Sequence, residues 1–504
     1  MDKGQSAIAA ARPDSWGVLP PQQVCEQARK SRDPRFDGLF FIGVLTTGIY
    51  CRTICPARMP AESNVRYFPT GAAAAAAGFR PCLRCRPEAA LPLPEWTLGS
   101  DTVVRALRLI EAGFLNNHST GDLAQSLEIG ERQLSRLFSA QLGASPKAVG
   151  RMCRAKVART LLRQGRYTHT EIAYHAGFGS VSRFNAEMRE IFQATPTQLR
   201  AAGKKKRAVK TSEARPTNLT FTLPVRKPYH FDWIFGYLQN RQLPGWEEVT
   251  GSSIDGDWCY RRRVGETHEN EWVEVRPAQD SLEVRLPLVE TPVHELLHRV
   301  RMVFDLNADG HTLCEFLSEI DLIKPLVKEA PGLRVAGAWD GFETSVRAIL
   351  GQQVSVARGT ELANKMMTAY GDGRFPSPKQ LLGREVAELG MPGRRGRAIV
   401  HLAEQVVAGD LQVDECQDYQ TLVDRLTSLD GIGPWTANYI RMRVLKDPNA
   451  FPDNDWVVLK ELGCTAAQAR KQSQTWQPWR AYVLMYLWYS AGKRRATKQT
   501  RTNN

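Results

Sequence analysis

Four cysteines near the amino terminus constrain the fold of this chain more than any other feature. They form the pattern C-x3-C-x26-C-x2-C at Cys51, Cys55, Cys82 and Cys85. Each pair has the short separation that lets one turn supply two ligands, and four thiolates complete a tetrahedral zinc shell. Buried thiols or chance neighbours are the alternatives, because disulfides are rare in a reducing compartment. The pattern therefore predicts one zinc ion in a small α+β domain.

Length and charge narrow the classes of function. A chain of 504 residues has room for about three or four domains. Its formal net charge is +14, and such a surplus favours a polyanionic partner because binding releases counterions; nucleic acid is the first candidate, and a merely basic globular protein is the alternative. The alanine run at 72–77 is too short to span a bilayer and predicts a short helix. The amino terminus lacks a signal pattern, so we expect a cytoplasmic protein that does not enter a membrane.

One pattern occurs twice in the helical region 101–200. The segment 122–146 contains an apolar helix, a turn at Gly130 and a second helix, and the segment 171–196 repeats this design with its turn at Gly177. The repeats predict two helix-turn-helix units, each with one polar face of the kind that enters a major groove. An ordinary helical bundle with solvated side chains is the alternative. The candidate DNA contacts are Gln133 and Arg136 in the first unit and Ser182, Arg183 and Asn185 in the second.

Two polar stretches divide the chain. Prolines interrupt it at 88–95, and a Lys-rich run at 201–218 lacks apolar periodicity, which predicts a flexible basic linker. Beyond the linker, 271–277 and 281–287 alternate as two strands joined by a tight turn, and the pattern turns helical from about Glu295. We therefore expect a small α+β lobe followed by a helical domain.

The helical domain contains a second motif that points to nucleic acid. The segment LTSLDGIGPWTANYIRMR at 426–443 predicts two helices joined at Gly431 and Gly433. Glycines let such a turn pack tightly, and backbone amides at the start of the following helix can receive a phosphate. A loop with carboxylates, FPDNDW at 451–456, stands just before the next apolar helix. The two predicted helices and glycine turn of 426–443 are typical of a helix-hairpin-helix.

The region 33–88 resembles the zinc domain of the Ada-type adaptive-response family in TTGIYC, CPAR, NVRYF and AAGFRPCLRCRP, and the paired helical units resemble an AraC-type DNA-binding domain. The resemblance implies that Cys51 is both a zinc ligand and the nucleophile that takes a methyl group, once, from a DNA methylphosphotriester; a purely structural ligand is the alternative. Zinc holds a thiol as the reactive thiolate. Methylation removes one negative charge, which suggests a switch in DNA affinity. The candidate phosphate contacts beside the ligands are Thr47, Arg52 and Arg58.

Residues from about 219 to 493 resemble the bacterial 3-methyladenine DNA glycosylase II family, AlkA-like, of the helix-hairpin-helix superfamily. GFETSVRAILGQQVSVA, LGMPGRRGRAIVHLA, DGIGPWTANYIRMR and PWRAYVLMYLWY carry the resemblance in this order. It implies a monofunctional glycosylase that hydrolyses the N-glycosidic bond of alkylated bases, because Trp435 stands where lyase-type relatives have a lysine. It places the catalytic carboxylate at Asp455, with Asp453 as the competing candidate and a plain helix cap as the alternative role.

The same resemblance implies further site residues. Electron-rich rings suit a flipped cationic base, and the matching positions are Trp435, Tyr439 and Trp488. The alternative is that each of these aromatic residues simply packs in the apolar core. Gln353 stands at the wedge position, where the family commonly inserts an apolar side chain. The resemblance also implies that Gly431 and Gly433 form the phosphate contact of the hairpin. A monovalent cation site at this hairpin is implied by the family alone.

These features together predict a multidomain, mainly α protein with α+β parts. The predicted domains are a zinc methyl-acceptor domain at 1–92, a tandem helix-turn-helix domain at 96–200, the linker at 201–218, a small α+β (TBP-like) lobe at 219–304, a helix-hairpin-helix glycosylase domain at 305–493 and a disordered basic tail at 494–504. The expected partners are alkylated and promoter double-stranded DNA, with RNA polymerase as a further candidate, and we expect a monomer. Two alternatives stay open. One is a transcriptional regulator whose glycosylase half only binds DNA, and the other is a repair enzyme whose regulator half only tethers the enzyme to DNA.

Overall fold

The computed structural model describes residues 19–204, 218–264, 271–414 and 418–502, which fall into two compact units. Unit 1 comprises Met1–Pro224 and Arg285–His298, and unit 2 comprises Val225–Val284 and Arg299–Asn504. Most of the predicted linker, 205–217, lies outside the described residues. Across the described ranges, no helix combines the length and the apolar character that crossing a membrane requires.

Unit 1 begins with the predicted small α+β domain. Its elements are α1 (Gln22–Ser31), β1 (Phe41–Val44), β2 (Ile49–Cys51), β3 (Val65–Phe68), α2 (Gly71–Ala76) and β4 (Arg80–Pro81). The sheet has the order β3-β1-β2-β4, with β1 antiparallel to β2 and β3, and β2 parallel to β4. The alanine run forms α2 because Thr70 caps it by accepting a hydrogen bond from the Ala73 amide at 3.0 Å.

The rest of unit 1 is mainly helical. Its helices are α3 (Asp101–Glu111), α4 (Thr120–Ser126), α5 (Glu131–Leu142), α6 (Pro146–Gln164), α7 (His169–His175), α8 (Val181–Phe192) and α9 (Pro196–Lys204). The pairs α4–α5 and α7–α8 are the predicted helix-turn-helix units. The first helix of each pair starts at a capping box, formed by Ser119 with Asp122 and by Thr168 with Glu171, which supplies partners for unpaired amides.

One hydrophobic core runs through both parts of unit 1. Its buried members include Phe41, Phe68 and Phe79 from the zinc domain and Leu134, Phe138 and Val149 from the helices. The Thr70 hydroxyl donates a hydrogen bond to the Leu142 carbonyl at 2.8 Å, and the buried Tyr50 hydroxyl lies 4.0 Å from the Met152 sulfur. The sequence predicts a break at 88–95, whereas the two domains pack as one body.

The chain then passes through a small sheet. Its elements are β5 (Asn218–Pro224), α10 (Phe231–Gln239), β6 (Glu247–Thr250), β7 (Cys259–Arg263), β8 (Trp272–Ala278), β9 (Ser281–Pro287) and α11 (Val293–Val303). In unit 2 the strands follow the order β9-β8-β7-β6, with β7 antiparallel to both neighbours. The predicted hairpin of 271–277 with 281–287 is present as β8 and β9.

Helices form the rest of unit 2. They are α12 (Gly310–Leu317), α13 (Lys324–Glu329), α14 (Gly341–Leu350), α15 (Val356–Tyr370), α16 (Pro378–Leu381), α17 (Gly393–Ala408), α18 (Tyr419–Thr427), α19 (Pro434–Val444), α20 (Trp456–Leu462), α21 (Ala466–Gln472) and α22 (Arg480–Thr502). The buried faces of α14, α15, α17, α18 and α19 form one core. This core fixes the hairpin between α18 and α19.

The predicted disordered tail at 494–504 needs correction. Helix α22 continues through Thr502, so 494–502 are helical. Good helix formers extend the helix, and Arg494 forms an ion pair with Glu461 of α20 that holds its first exposed turn. Helix α9 likewise extends to Lys204, so the first residues of the predicted linker are helical too.

Candidate functional site

The four cysteines of the zinc pattern meet at one point. Strand β2 ends at Cys51, Cys55 lies in the turn that follows, and Cys82 and Cys85 follow β4. Pairing of β2 with β4 brings the two halves together, and all four Sγ atoms lie within 4.8 Å of one another. Sulfur ligands of a tetrahedral zinc lie about 3.8 Å apart, so this thiolate set fits a zinc ion.

Access to the cluster is uneven. Cys51 and Cys55 are partly exposed, whereas Cys82 and Cys85 are buried. Solvent therefore reaches Cys51 and Cys55 more readily than the buried pair.

Arg52 occupies a different position from the one predicted for a phosphate contact. Its guanidinium binds the buried Asp37 carboxylate, with Nε 2.6 Å from Oδ1, and donates to the Cys85 carbonyl at 3.3 Å. Its backbone amide points to the Cys85 sulfur at 3.4 Å. Arg52 therefore ties the two ligand loops together, while the other predicted contacts, Thr47 and Arg58, are exposed.

The predicted major-groove residues lie on the second helix of each helix-turn-helix unit. Gln133 and Arg136 on α5 are exposed, as are Ser182 and Arg183 on α8, and Asn185 is half-buried. The opposite faces of α5 and α8 are buried in the core. The guanidinium of Arg183 donates to Glu187 at 2.9 Å, which orients it along its helix. Each set therefore forms one solvent-facing surface, and its contact with DNA stays a prediction.

The two hairpin glycines have different structural roles. Gly431 has φ +91°, and a Cβ atom there would lie 2.8 Å from the Ala398 Cβ. Gly433 precedes α19 in open space, and no side chain caps that helix. Gly431 therefore gives the turn its shape, and Gly433 leaves the first turn of α19 open to a phosphate.

Asp455 stands at the centre of the second site. It caps α20, accepting a hydrogen bond from the Val458 amide at 3.0 Å, and it is only 6% exposed. The indole N–H of Trp435 donates to its Oδ2 at 2.9 Å, and that of Trp488 lies 3.4 Å from its Oδ1. The competing candidate, Asp453, is paired with Arg470 at the surface. The helix cap and a role in the site are therefore compatible for Asp455.

The three predicted pocket residues gather beside this carboxylate. Trp435 and Tyr439, one turn apart on α19, are stacked with ring centroids 5.3 Å apart and planes 16° apart. Trp488 of α22 lies 6.4 Å from Tyr439 at 43°. All three are half-buried, so none belongs wholly to the core. Gln353 is exposed in the loop before α15 with φ +53°.

Three further residues of this site are not indicated by any pattern in the sequence considered above. Gln352 donates from Nε2 to the Gly431 carbonyl at 3.0 Å and to the Thr436 hydroxyl at 2.9 Å, which joins the loop of Gln353 to the hairpin. The hydroxyl of Tyr237, on α10, lies 2.9 Å from that of Tyr439. Arg443 lies one turn beyond Tyr439. The i, i+4 spacing of Arg443 from Tyr439 on one helix is the only sequence signal that could have indicated Arg443. Tyr237 is too distant in sequence for any such signal.

The metal-thiolate cluster, the paired helix-turn-helix units and the hairpin beside a carboxylate define a class: a regulatory protein joined to a helix-hairpin-helix DNA glycosylase. Comparison with known families agrees. The metal binding domain of Ada matches 24–88, a helix-turn-helix domain matches 123–202, and the AlkA N-terminal domain matches 220–340.

Curated relatives extend the match over nearly the whole chain. A "Probable bifunctional transcriptional activator/DNA repair enzyme AlkA" of Mycobacterium tuberculosis is 38% identical over 92% of this chain and 95% of its own length. DNA-3-methyladenine glycosylase 2 of Escherichia coli is 31% identical over 54% of this chain and 98% of its own. The bifunctional transcriptional activator/DNA repair enzyme Ada of Escherichia coli is 36% identical over 35% of this chain and 48% of its own. The chain belongs to the family in which an Ada-type regulator is fused to an AlkA-type glycosylase.

Proposed function

We propose that this protein repairs alkylated DNA and controls the response to that damage. Unit 2 excises alkylated bases such as 3-methyladenine as a monofunctional glycosylase. The observation that carries this function is the Asp455 carboxylate, buried and contacted by two indole N–H groups beside stacked aromatic rings. The regulator half binds DNA and activates transcription.

The excision chemistry follows from the charge of the substrate. An N-alkylated purine is cationic and leaves readily, so its departure needs little help from an acid. The sugar gains positive charge as the C–N bond breaks, and a fixed anion nearby stabilises that charge. Asp455 supplies this anion. The indole N–H groups of Trp435 and Trp488 hold it in position, while the electron-rich rings receive the flipped base.

The two aspartates of the loop provide the decisive experiment. We expect Asp455→Asn to lower base release from alkylated duplex DNA by at least about a hundredfold, because the fixed charge is lost. The matched control is Asp453→Asn, which breaks a surface ion pair with Arg470 and should change the rate by less than about threefold. Release by Asp455→Asn at the wild-type rate would instead favour a glycosylase half that only binds DNA.

We further propose that Cys51 is the methyl acceptor of the regulator half. Zinc, held by the four cysteines, would keep their sulfurs in the thiolate form. The partly exposed Cys51 sulfur attacks the methyl carbon of a DNA phosphotriester as the C–O bond breaks. A thioether forms, and the electron pair stays on the released phosphodiester. The loss of one negative charge then weakens repulsion between unit 1 and the DNA phosphates.

Peptide mass spectrometry tests the acceptor. After incubation with methylphosphotriester DNA, we expect a single methyl group on the peptide that contains Cys51 and none in a Cys51→Ala variant. Promoter affinity should rise with methylation. A methyl group on Cys55, the other accessible ligand, would reassign the acceptor. Methylation that left promoter binding unchanged would favour a regulator half that only tethers the enzyme. RNA polymerase as partner and the monomeric state belong to the same proposal.

A further inference from the structure

A second layer of side chains lies behind the aromatic rings. Arg443 is 1% exposed, and its guanidinium carbon lies 4.3 Å from the ring centroid of Tyr237, 5.2 Å from that of Tyr439 and 5.6 Å from that of Trp488. Its Nη1 donates to the Ala336 carbonyl at 2.8 Å. By hydrogen-bond geometry its Nε and Nη2 have no partner among the described residues, so the aromatic rings are its main neighbours. A fixed buried cation thus faces the rings that receive the base.

This arrangement opposes a cationic substrate unless an anion compensates. The carboxylates of Glu247 and Glu343 are occupied by Arg347, and Glu343 also by Arg262. Asp455 lies at the indole N–H groups of Trp435 and Trp488, and among the described residues it forms no ion pair with Arg443. A like charge buried near the base would weaken its attraction to the rings. The Tyr439 hydroxyl is a further group that can supply negative charge, and its ring lies 5.2 Å from the Arg443 guanidinium carbon.

The surroundings of that hydroxyl favour its ionisation. Burial raises the pKa of Tyr439, but the cations Arg443 of α19 and Arg241 of α10 outweigh burial and lower it to about 8. Burial raises the pKa of Tyr237, whose hydroxyl lies 2.9 Å from that of Tyr439, so a protonated Tyr237 can donate to an ionised Tyr439. Arg347 of α14 lies behind Arg241, bound to its carbonyl. From α22, Trp488 faces the ring without charge.

We propose that Tyr237 and Arg443 are positioning residues that make the Tyr439 hydroxyl the group selecting between cationic and neutral bases. As a phenolate, Tyr439 cancels the charge of Arg443 and attracts a cationic base. As a phenol, it leaves that repulsion in place, so neutral alkylated bases compete better. This inference rests on the proposed glycosylase function and goes beyond it, because it assigns base preference to a titrating contact.

The test is the ratio of excision rates for two bases of fixed charge. Full-length protein would be assayed on duplexes containing 3-methyladenine, a cation, and 1,N6-ethenoadenine, which is neutral. The ionised fraction of a group with a pKa of about 8 rises about tenfold between about pH 7 and about pH 9. We expect the ratio of kcat/KM for the cationic to the neutral base to rise by up to about tenfold over this range.

Single-residue variants show which side chains cause the rise of the kcat/KM ratio with pH. Tyr439→Phe and Arg443→Met should give a ratio independent of pH, and Tyr237→Phe should shift the rise to higher pH because the phenolate loses its donor. Arg443→Lys keeps the charge and should keep the rise, while Tyr489→Phe removes a tyrosine hydroxyl that bonds Glu329 elsewhere and should change nothing. If Arg443→Met fails to fold, the near-ultraviolet titration of wild type minus Tyr439→Phe still reports the midpoint directly.

The outcomes separate the two proposals. Release of neither base at any pH would contradict the glycosylase function itself. Release of both with a ratio that is flat in the wild type, or that rises equally in Tyr439→Phe, would overturn the role of Tyr439. A rise lost in Tyr439→Phe but unchanged in Tyr237→Phe, Arg443→Met and Arg443→Lys would overturn the roles of the second layer.

Discussion

The zinc cluster and the aspartate site position a cysteine sulfur and a buried carboxylate by different means. Four ligands of the cluster come from two short segments that β2 and β4 pair side by side. Asp455 instead meets partners from α19 and α22, and the second layer adds Tyr237 from α10. Local backbone pairing builds the first site, and packing of helices distant in sequence builds the second.

This difference sets how each site depends on its surroundings. The cysteine sulfurs lie within 4.8 Å of one another, so as thiolates without a metal they repel, and a metal is part of what holds their domain folded. The aspartate site stands on an apolar core of packed helices. The zinc domain also shares its core with the helix-turn-helix units. Damage at the cluster should therefore spread through unit 1.

Metal removal should have the largest effect and separate the two sites most sharply. We expect a strong chelator to abolish methyl uptake and to unfold the zinc domain, since structural zinc contributes on the order of 10 kcal/mol to such domains. Hydrogen exchange followed by mass spectrometry should show lost protection in 33–88 and in the helices that share its core. Base excision by the same sample serves as the control and should persist. Equal loss of excision would show that the sites are not independent.

Much of the fold could be predicted from the sequence because its signals are local. The cysteine spacing, the turn glycines and the alternation in β8 and β9 are local signals, and each is present as expected. The shared core of unit 1 could not be predicted, because the apolar faces of α2 and α6 carry no mark of their partners. At 494–502 the sequence pattern did not indicate the helix, in which Arg494 makes a tertiary ion pair with Glu461.

The candidate site divides in the same way. The carboxylate loop and the hairpin can be read locally, whereas the roles of Asp455 and the three aromatic residues required a family resemblance. Tyr237 contributes through a contact 202 positions away in sequence, which no pattern along the chain reveals. Arg52 shows the limit of local reading: its place beside the ligands suggests a phosphate contact, which stays a prediction, and only the structure shows its pairing with the buried Asp37. Burial and pairing decide such roles.

The hairpin glycines give the next largest effect. We expect Gly431→Ala to reduce the free energy of unfolding of unit 2 by about 3 kcal/mol, because alanine is strained at φ +91° and its Cβ would clash with Ala398. Chemical denaturation measures this loss. Gly433→Ala, in open space, is the control and should change stability by about 0.5 kcal/mol or less while weakening DNA binding. Equal destabilisation by both would refute the division of roles between the glycines.

The two indoles should differ in a smaller but measurable way. Trp435→Phe removes the 2.9 Å hydrogen bond to the Asp455 carboxylate, and we expect kcat for base excision to fall about tenfold. Trp488→Phe removes a longer contact of 3.4 Å and should lower kcat about threefold. Single-turnover kinetics isolates the chemical step. The reverse order would mean that Trp488, not Trp435, holds the carboxylate during reaction.

The smallest effect concerns the loop that joins the hairpin to the predicted wedge. Gln353 is exposed, and no side-chain hydrogen bond joins it to another described residue, so Gln353→Leu should leave the fold unchanged. An apolar side chain loses less hydration when it enters a base stack, and we expect about threefold tighter binding to duplex containing an abasic site. Gln352→Leu is the matched control, because it removes hydrogen bonds to Gly431 and Thr436 and should weaken binding instead. Unchanged affinity in Gln353→Leu would place this side chain outside the duplex and leave Gln352 as the residue through which the loop acts.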